Sequence, residues 1–122
     1  MEIKGKRICV LEDNDDIREI INVLLKEEKY QVSGFASVSD FIRGGKGGGP
    51  DLFLLDVMLP DGNGVDVCSM LKSDNLTQNI PVLMMSANSS ELEVANSCKA
   101  HGFVAKPFDI YDLISKVAKV LE

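Results

Sequence analysis

Four apolar runs of this sequence each lead into a side chain that could take part in chemistry. These residues are Glu12 and Asp13 after residues 8–11, Asp56 at the end of residues 52–56, Ser86 after residues 81–85, and Lys106 after residues 103–105. A carboxylate at the end of a buried strand is costly unless an opposite charge approaches it. The sequence therefore predicts that something charged comes to Asp56.

Three carboxylates gathered at one point favour a divalent cation. Two carboxylates about 5 Å apart repel each other by roughly 3 kcal/mol at an effective dielectric constant of about 20. Ligands that are all oxygens indicate Mg²⁺, which keeps several waters, and the absence of thiol and imidazole makes zinc and copper poor fits. Beside Mg²⁺, a carboxylate such as Asp56 could attack phosphorus and form an acyl phosphate, with Lys106 and Ser86 stabilising the phosphoryl oxygens.

Strand and helix patterns alternate five times along the chain and would position these side chains. Runs that are apolar on both faces indicate a parallel sheet with helices on both sides, an α/β fold. Residues 31–35 alternate polar and apolar types around a glycine, which indicates an edge strand. Ligands of such sheets bind outside the carboxyl ends of the strands, where the chemical residues would meet.

Helix signals occupy the segments between the strands. Asn14 is a predicted N-cap before a periodic stripe of apolar residues, and Asp109 is the predicted N-cap of the last helix. The other predicted helices follow Ser37 or Ser39, start at Asn63 or Gly64, and run from a possible capping box at Ser90 and Glu93 to about Ala100.

The bulk composition limits the classes of function. The chain has 122 residues and a net charge of −6, so we expect one domain over residues 1–122 and no direct binding of nucleic acid. No apolar stretch has membrane-spanning length and no signal-peptide pattern opens the chain, so we expect a cytoplasmic protein that does not bind a membrane. Cys9, Cys68 and Cys98 are odd in number and widely spaced, which favours buried structural thiols.

Taken together, these residues resemble the receiver domain of bacterial two-component response regulators, the family of the single-domain chemotaxis regulator. The resemblance covers about residues 5 to 121 and rests on five motifs in order: Glu12-Asp13, Asp56 with its loop DVMLPDGNG, Ser86-Ala87, Phe103, and Lys106-Pro107-Phe108. It implies a flavodoxin-like doubly wound sheet of five parallel strands in the order 2-1-3-4-5.

The resemblance also implies a role for each residue. Asp56 would accept a phosphoryl group from the phosphohistidine of a sensor histidine kinase or a phosphotransfer protein. Mg²⁺ would be held by Asp13, Asp56 and the backbone carbonyl of Met58, with Glu12 acting mainly through water. Residues expected to bind the phosphoryl group or to switch conformation are Ser86, Ala87, Phe103 and Lys106, and the peptide bond before Pro107 would be cis.

Several positions differ from the usual family pattern. Glu12 stands where Asp is usual, Ser86 replaces the commoner Thr, and Phe103 lacks the hydroxyl of the frequent Tyr. Met58, two residues after the acceptor, is apolar. We hypothesise that its side chain shields the acyl phosphate from water and that Asn88 modulates this protection, so that both residues tune dephosphorylation.

Other functions remain as alternatives. An aspartate-nucleophile phosphatase needs a second Asp where Met58 stands, and a pseudo-receiver would not need Asp13, Asp56 and Lys106 together. A flavin-binding relative of the same fold is a further alternative, but no hydroxyl-rich phosphate loop follows the first strand of this chain, and its glycine-rich residues 44–49 do not match a nucleotide-binding loop. We expect a signalling switch that catalyses only its own phosphorylation and dephosphorylation. Its output would be a downstream protein, an effector domain outside this chain, or a homodimer through the face of the fourth helix, fifth strand and last helix.

Overall fold

A parallel sheet of five strands forms the centre of the computed structural model, which describes residues 5–44, 49–87, 98 and 100–122. In spatial order the strands are β2 (Gln31–Phe35), β1 (Arg7–Leu11), β3 (Leu52–Asp56), β6 (Val82–Ser86) and β7 (Gly102–Ala105). All neighbouring pairs in this sheet are parallel. The order confirms the sequence prediction, because β6 and β7 are the fourth and fifth strands of the sheet.

The segment after β3, predicted only as a loop, contains two short strands. Strands β4 (Met58–Leu59) and β5 (Gly62–Asn63) pair with each other in an antiparallel hairpin, separate from the main sheet. The run of Pro60, Asp61 and Gly62 supplies the turn chemistry of a short hairpin. The two strands of this hairpin were not predicted from the sequence.

Four helices lie in the described part of the chain: α1 (Asp15–Glu27), α2 (Val38–Gly44), α3 (Gly64–Ser73) and α4 (Ile110–Leu121). The N-caps predicted at Asn14 and Asp109 are confirmed, since their side chains accept hydrogen bonds from backbone N–H groups of the first turn. The third helix was predicted to start at Asn63 or Gly64, and it begins at Gly64 with Asn63 as its N-cap. Apart from Cys98 and Ala100, the helix predicted from Ser90 to about Ala100 lies outside the described residues. None of the described helices is both long and apolar enough to cross a bilayer.

Two apolar clusters cover the two faces of the sheet. Strands β3 and β6 are buried along their whole length, and alternate residues point to opposite faces. Leu55 and Phe53 contribute to the cluster that includes Phe41 of α2 and Leu71 of α3. Leu54 contributes to the opposite cluster, formed with α1 and α4. This two-sided burial explains why the central strands are continuous apolar runs.

The outer elements of the fold are less completely buried than the central strands. Strand β2 is largely exposed, as an edge strand should be. In α1, Ile21 and Leu25 are fully buried, but Ile20 is 49% exposed, so the apolar stripe is wider than the surface that the sheet covers. Cys9, Cys68 and Cys98 are buried and form no disulfide with one another, which confirms the prediction of buried thiols, and burial raises the pKa of Cys9 to about 12.

Candidate functional site

The carboxyl ends of the parallel strands bring the residues singled out from the sequence to one edge of the sheet. Asp56 is the last residue of β3 and pairs in register with Met85 of β6. Ser86, the last residue of β6, pairs with Ala105, immediately before Lys106. Glu12 follows β1, which is the other neighbour of β3. Parallel alignment therefore makes four distant segments of the chain adjacent.

Lys106 joins two of the carboxylates. Its Nζ lies 2.5 Å from Oε1 of Glu12 and 3.1 Å from Oδ2 of Asp56. The side chains of Glu12 and Asp56 are almost fully buried, at 1% and 6% exposed, whereas that of Lys106 is 15% exposed. The ammonium thus supplies the opposite charge that a buried Asp56 requires. The backbone N–H of Lys106 also donates to the carbonyl of Ser86 at 2.7 Å, and the Lys106–Pro107 bond is cis.

The packing of the site raises the pKa values of both Asp56 and Lys106. Burial, followed by the charge of Glu12, raises the pKa of Asp56 to about 6, against the opposing effect of Lys106. Burial alone would lower the pKa of Lys106, but its hydrogen bonds to Glu12 and Asp56, and their charges, raise it overall. The ammonium of Lys106 therefore stabilises the charged form of Asp56, which burial disfavours.

Three carboxylates lie close enough to share one cation. Glu12, Asp13 and Asp56 each offer an oxygen, and these oxygens all lie within 4.8 Å of one another. Asp13 is exposed, whereas Glu12 and Asp56 are buried, so the cluster opens to solvent on the side of Asp13. Such a set of hard oxygen donors with an open side fits Mg²⁺, which retains part of its hydration shell.

The β4–β5 hairpin borders the cluster and is tied to the end of β3. The backbone N–H of Gly64 donates to the carbonyl of Val57 at 2.8 Å. A Cβ on Gly64 would lie only 2.1 Å from the carbonyl oxygen of Asp56, so the start of α3 packs directly on the backbone of Asp56. Met58, on β4, is 62% exposed.

Comparison with known proteins decides the family. The sequence model of the response regulator receiver domain matches residues 8–118. The chain belongs to this family. The DNA-binding response regulator MtrA of Mycolicibacterium smegmatis is 30% identical over 119 residues, which are 96% of this chain and 51% of that protein. This receiver domain thus spans about half the length of the curated relatives that it matches.

Solved structures agree with this assignment. A Chloroflexus aurantiacus protein described as a response regulator is 27% identical and superposes with a TM-score of 0.91, covering 97% of this chain and 98% of the other. The response regulator TrrA of Thermotoga maritima, solved in complex with Mg²⁺ and beryllium fluoride, is 28% identical with a TM-score of 0.86. That match covers 95% of this chain and 99% of TrrA.

The remaining predicted residues lie around the cluster of this receiver domain in different ways. Ser86 is buried and Ala87 is exposed. Phe103 is half-buried and packs against the core on the side of α2 and α3, and its carbonyl accepts a hydrogen bond from Lys116 Nζ at 2.8 Å. Asn88 lies outside the described residues, so its predicted effect on dephosphorylation stays a prediction.

Two residues of the receiver domain that organise the region were not singled out from the sequence. Asp61, in the hairpin turn, accepts hydrogen bonds from the backbone N–H groups of Val38 and Ser39 and so caps α2 from outside the helix. These bonds hold the pKa of Asp61 below its usual value. Arg18 of α1 donates to the carbonyl of Glu12. No local pattern could have revealed the Asp61 contacts, because the two segments are distant in the chain, whereas Arg18 lies only six residues after Glu12.

Proposed function

We propose that this receiver domain accepts a phosphoryl group on Asp56 in a magnesium-dependent reaction and thereby switches conformation. The observation that carries the proposal is the contact of Lys106 with both Asp56 and Glu12 at the open carboxylate cluster. Receiver domains form a family of signalling switches. An ionised oxygen of Asp56 would attack phosphorus, the bond from phosphorus to the donor's imidazole nitrogen would break, and an acyl phosphate would form.

The residues that would hold Mg²⁺ are Asp13, Asp56 and the backbone carbonyl of Met58, with Glu12 acting mainly through water. The donor set supports this assignment, because every ligand is an oxygen. The related TrrA was solved with Mg²⁺ and beryllium fluoride bound. When bound, Mg²⁺ would supply positive charge to the phosphoryl oxygens.

The protein's own groups would perform the remaining work. Lys106 already lies 3.1 Å from Asp56, so its ammonium could neutralise charge on the transferred group. Ser86 is buried at the end of the neighbouring strand and would donate its hydroxyl proton to a phosphoryl oxygen. Phe103 and Ala87 are the proposed switch residues, and Phe103 would act by ring packing alone.

A protein phosphodonor is the proposed partner, namely a sensor histidine kinase or a phosphotransfer protein. An apolar groove borders the site and supports protein docking: it is lined by Lys106 and Pro107 together with Ile17, Ile20, Phe108 and Ile110. The downstream target would be another protein or an effector domain, since the relative MtrA is a DNA-binding regulator of about twice this length. A homodimer through the face that includes β7 and α4 is the other proposed output, and the cytoplasm is the proposed location.

Incubation with Mg²⁺ and phosphoramidate, followed by intact-protein mass spectrometry, tests the proposal. We expect wild type to gain the mass of one phosphoryl group and Asp56→Asn to gain none. Asp16→Asn is the matched control, because Asp16 lies outside the cluster and its loss changes the net charge equally. Modification that persists in Asp56→Asn would refute Asp56 as the acceptor, and no modification of wild type would favour a pseudo-receiver.

A further inference from the structure

We propose that Arg18 is a positioning residue for the metal site, an inference that rests on the proposed function above. Arg18 lies in α1 and reaches back to the loop that carries Glu12 and Asp13. Its Nη1 donates to the backbone carbonyl of Glu12 at 2.9 Å. That carbonyl belongs to the peptide unit between Glu12 and Asp13, which is planar. Arg18 therefore fixes the orientation of the peptide from which the Asp13 side chain departs.

The guanidinium of Arg18 is itself held in place. Its Nη2 forms an ion pair with Oδ1 of Asp15 at 2.6 Å, and the side chain of Arg18 is only 25% exposed. Because the guanidinium is planar, two hydrogen bonds from its two ends define its orientation. The ion pair with Asp15, which is 84% exposed, adds little stability on its own. Its effect is to hold the guanidinium of Arg18 in one orientation.

Gly34 makes room for the aliphatic part of Arg18. A Cβ at Gly34 would lie 3.2 Å from Cδ and 3.3 Å from Cγ of Arg18. Glycine weakens an exposed edge strand, yet here its missing side chain lets Arg18 pass over β2 on its way to Glu12. The same strand holds the other side of the loop, since the N–H of Glu12 donates to the carbonyl of Phe35 at 3.0 Å. The loop is thus fixed by β2 at the N–H of Glu12 and by Arg18 at its carbonyl.

The sign of the expected effect separates positioning from simple electrostatics. Arg18 carries a positive charge close to a proposed cation site, so its charge alone opposes Mg²⁺ binding. If Arg18 acted only as a charge, its removal would strengthen Mg²⁺ binding. If it positions the acidic loop, its removal weakens binding, as the loss of outer-shell partners weakens metal sites in general.

Isothermal titration calorimetry with Mg²⁺ measures the affinity of the protein for the metal without any phosphorylation step. Arg18→Met keeps a long unbranched side chain in place of the aliphatic part of Arg18 but loses the guanidinium. In this variant we expect the Kd for Mg²⁺ to rise about 10-fold. Lys26→Met is the matched control, because Lys26 is an exposed residue of the same helix and its loss changes the net charge equally. We expect the Kd of this control to stay within about 2-fold of wild type. Binding by Arg18→Met that equals or exceeds that of wild type would overturn the inference.

A second variant disturbs Arg18 without removing it. Gly34→Val places a side chain against Cγ and Cδ of Arg18 and leaves the net charge unchanged, so we expect weaker Mg²⁺ binding here too. The double variant should bind no more weakly than Arg18→Met, because both changes break one interaction. Fully additive losses, or unchanged binding in Gly34→Val, would contradict the inference.

The outcomes also separate this inference from the proposed function. Wild type that binds no Mg²⁺ would refute the metal site itself. Wild type that binds Mg²⁺ with an unchanged Kd in folded Arg18→Met would refute only the role of Arg18. Circular dichroism establishes folding of each variant, and if Arg18→Met does not fold, the comparison of Gly34→Val with wild type decides.

Discussion

Replacing Gly64 by alanine should damage both the fold and the site, although alanine ordinarily favours a helix. Gly64 is the first residue of α3, where Gly→Ala would be expected to stabilise by roughly 0.5–1 kcal/mol from helix propensity. In this protein the added Cβ would lie 2.1 Å from the carbonyl oxygen and 2.9 Å from the carbonyl carbon of Asp56. Because these are backbone atoms, no side-chain rotation can relieve the overlap, and β3 must separate from α3 by about 1 Å.

The expected magnitude follows from that displacement. Overpacking a well-packed core typically costs about 1–3 kcal/mol, and contact with backbone at the end of a buried strand places Gly64→Ala near the upper value. For a chain of this length, a loss of about 3 kcal/mol lowers Tm by about 10 °C. Urea unfolding followed by circular dichroism, together with a thermal scan, gives both quantities.

Gly62→Ala is the matched control for this prediction. Gly62 lies two residues earlier, in strand β5 of the hairpin, and a Cβ there would meet only the side chain of Val38, at 3.2 Å. We expect its free energy of unfolding to stay within about 1 kcal/mol of wild type. If Gly64→Ala were as stable as Gly62→Ala, the close packing of α3 on the backbone of Asp56 would be refuted.

Four further outcomes are expected. Lys106→Met should lose about 3–5 kcal/mol of unfolding free energy without metal, because Glu12 and Asp56 stay buried without their cation; an unchanged urea midpoint would contradict this. The pKa of Asp56, about 6, lies above its usual value, so in EDTA wild type should lose stability as the pH rises from about 4 through 6, and Asp56→Asn should lack this dependence. Equal pH profiles of stability in wild type and Asp56→Asn would contradict this prediction. Lys29 has φ of 74°, so Lys29→Gly should raise the free energy of unfolding by about 1 kcal/mol; destabilisation in the same urea assay would show that the left-handed backbone is not strained. Met58→Asn should shorten the lifetime of phosphorylated Asp56 in a mass-spectrometric time course, and an unchanged lifetime would reject shielding by Met58.

Much of the fold could be predicted because its determinants are local. The caps at Asn14 and Asp109 depend on hydrogen bonds within one helical turn. The buried strands β3 and β6 are visible as unbroken apolar runs because helices cover both faces of the sheet. The hairpin β4–β5 was missed because strands of two residues leave no periodicity to detect.

The sequence predicted which residues form the candidate site, but not how they contact one another. The residues at the strand ends indicated which side chains would meet, and the parallel sheet does bring Glu12, Asp56 and Lys106 together. No local pattern of residues indicates that Glu12 is fully buried against Lys106, because burial depends on how α1 and the loop after β7 pack over the sheet. Asp61 was not predicted for a related reason, since it accepts hydrogen bonds from the backbone of a distant segment.

The sequence by itself determined the alternation of strands and helices, the kind of chemistry and the residues that could perform it, since periodicity and side-chain type are properties of the chain. Tertiary structure decided which of those residues are buried and which charges lie in contact. Only the parallel register places Lys106 between two buried carboxylates while Asp13 faces solvent. Burial and neighbouring charge raise the pKa of Asp56 to about 6, and both depend on distances between segments that are remote in the chain. No local pattern of residues determines these distances.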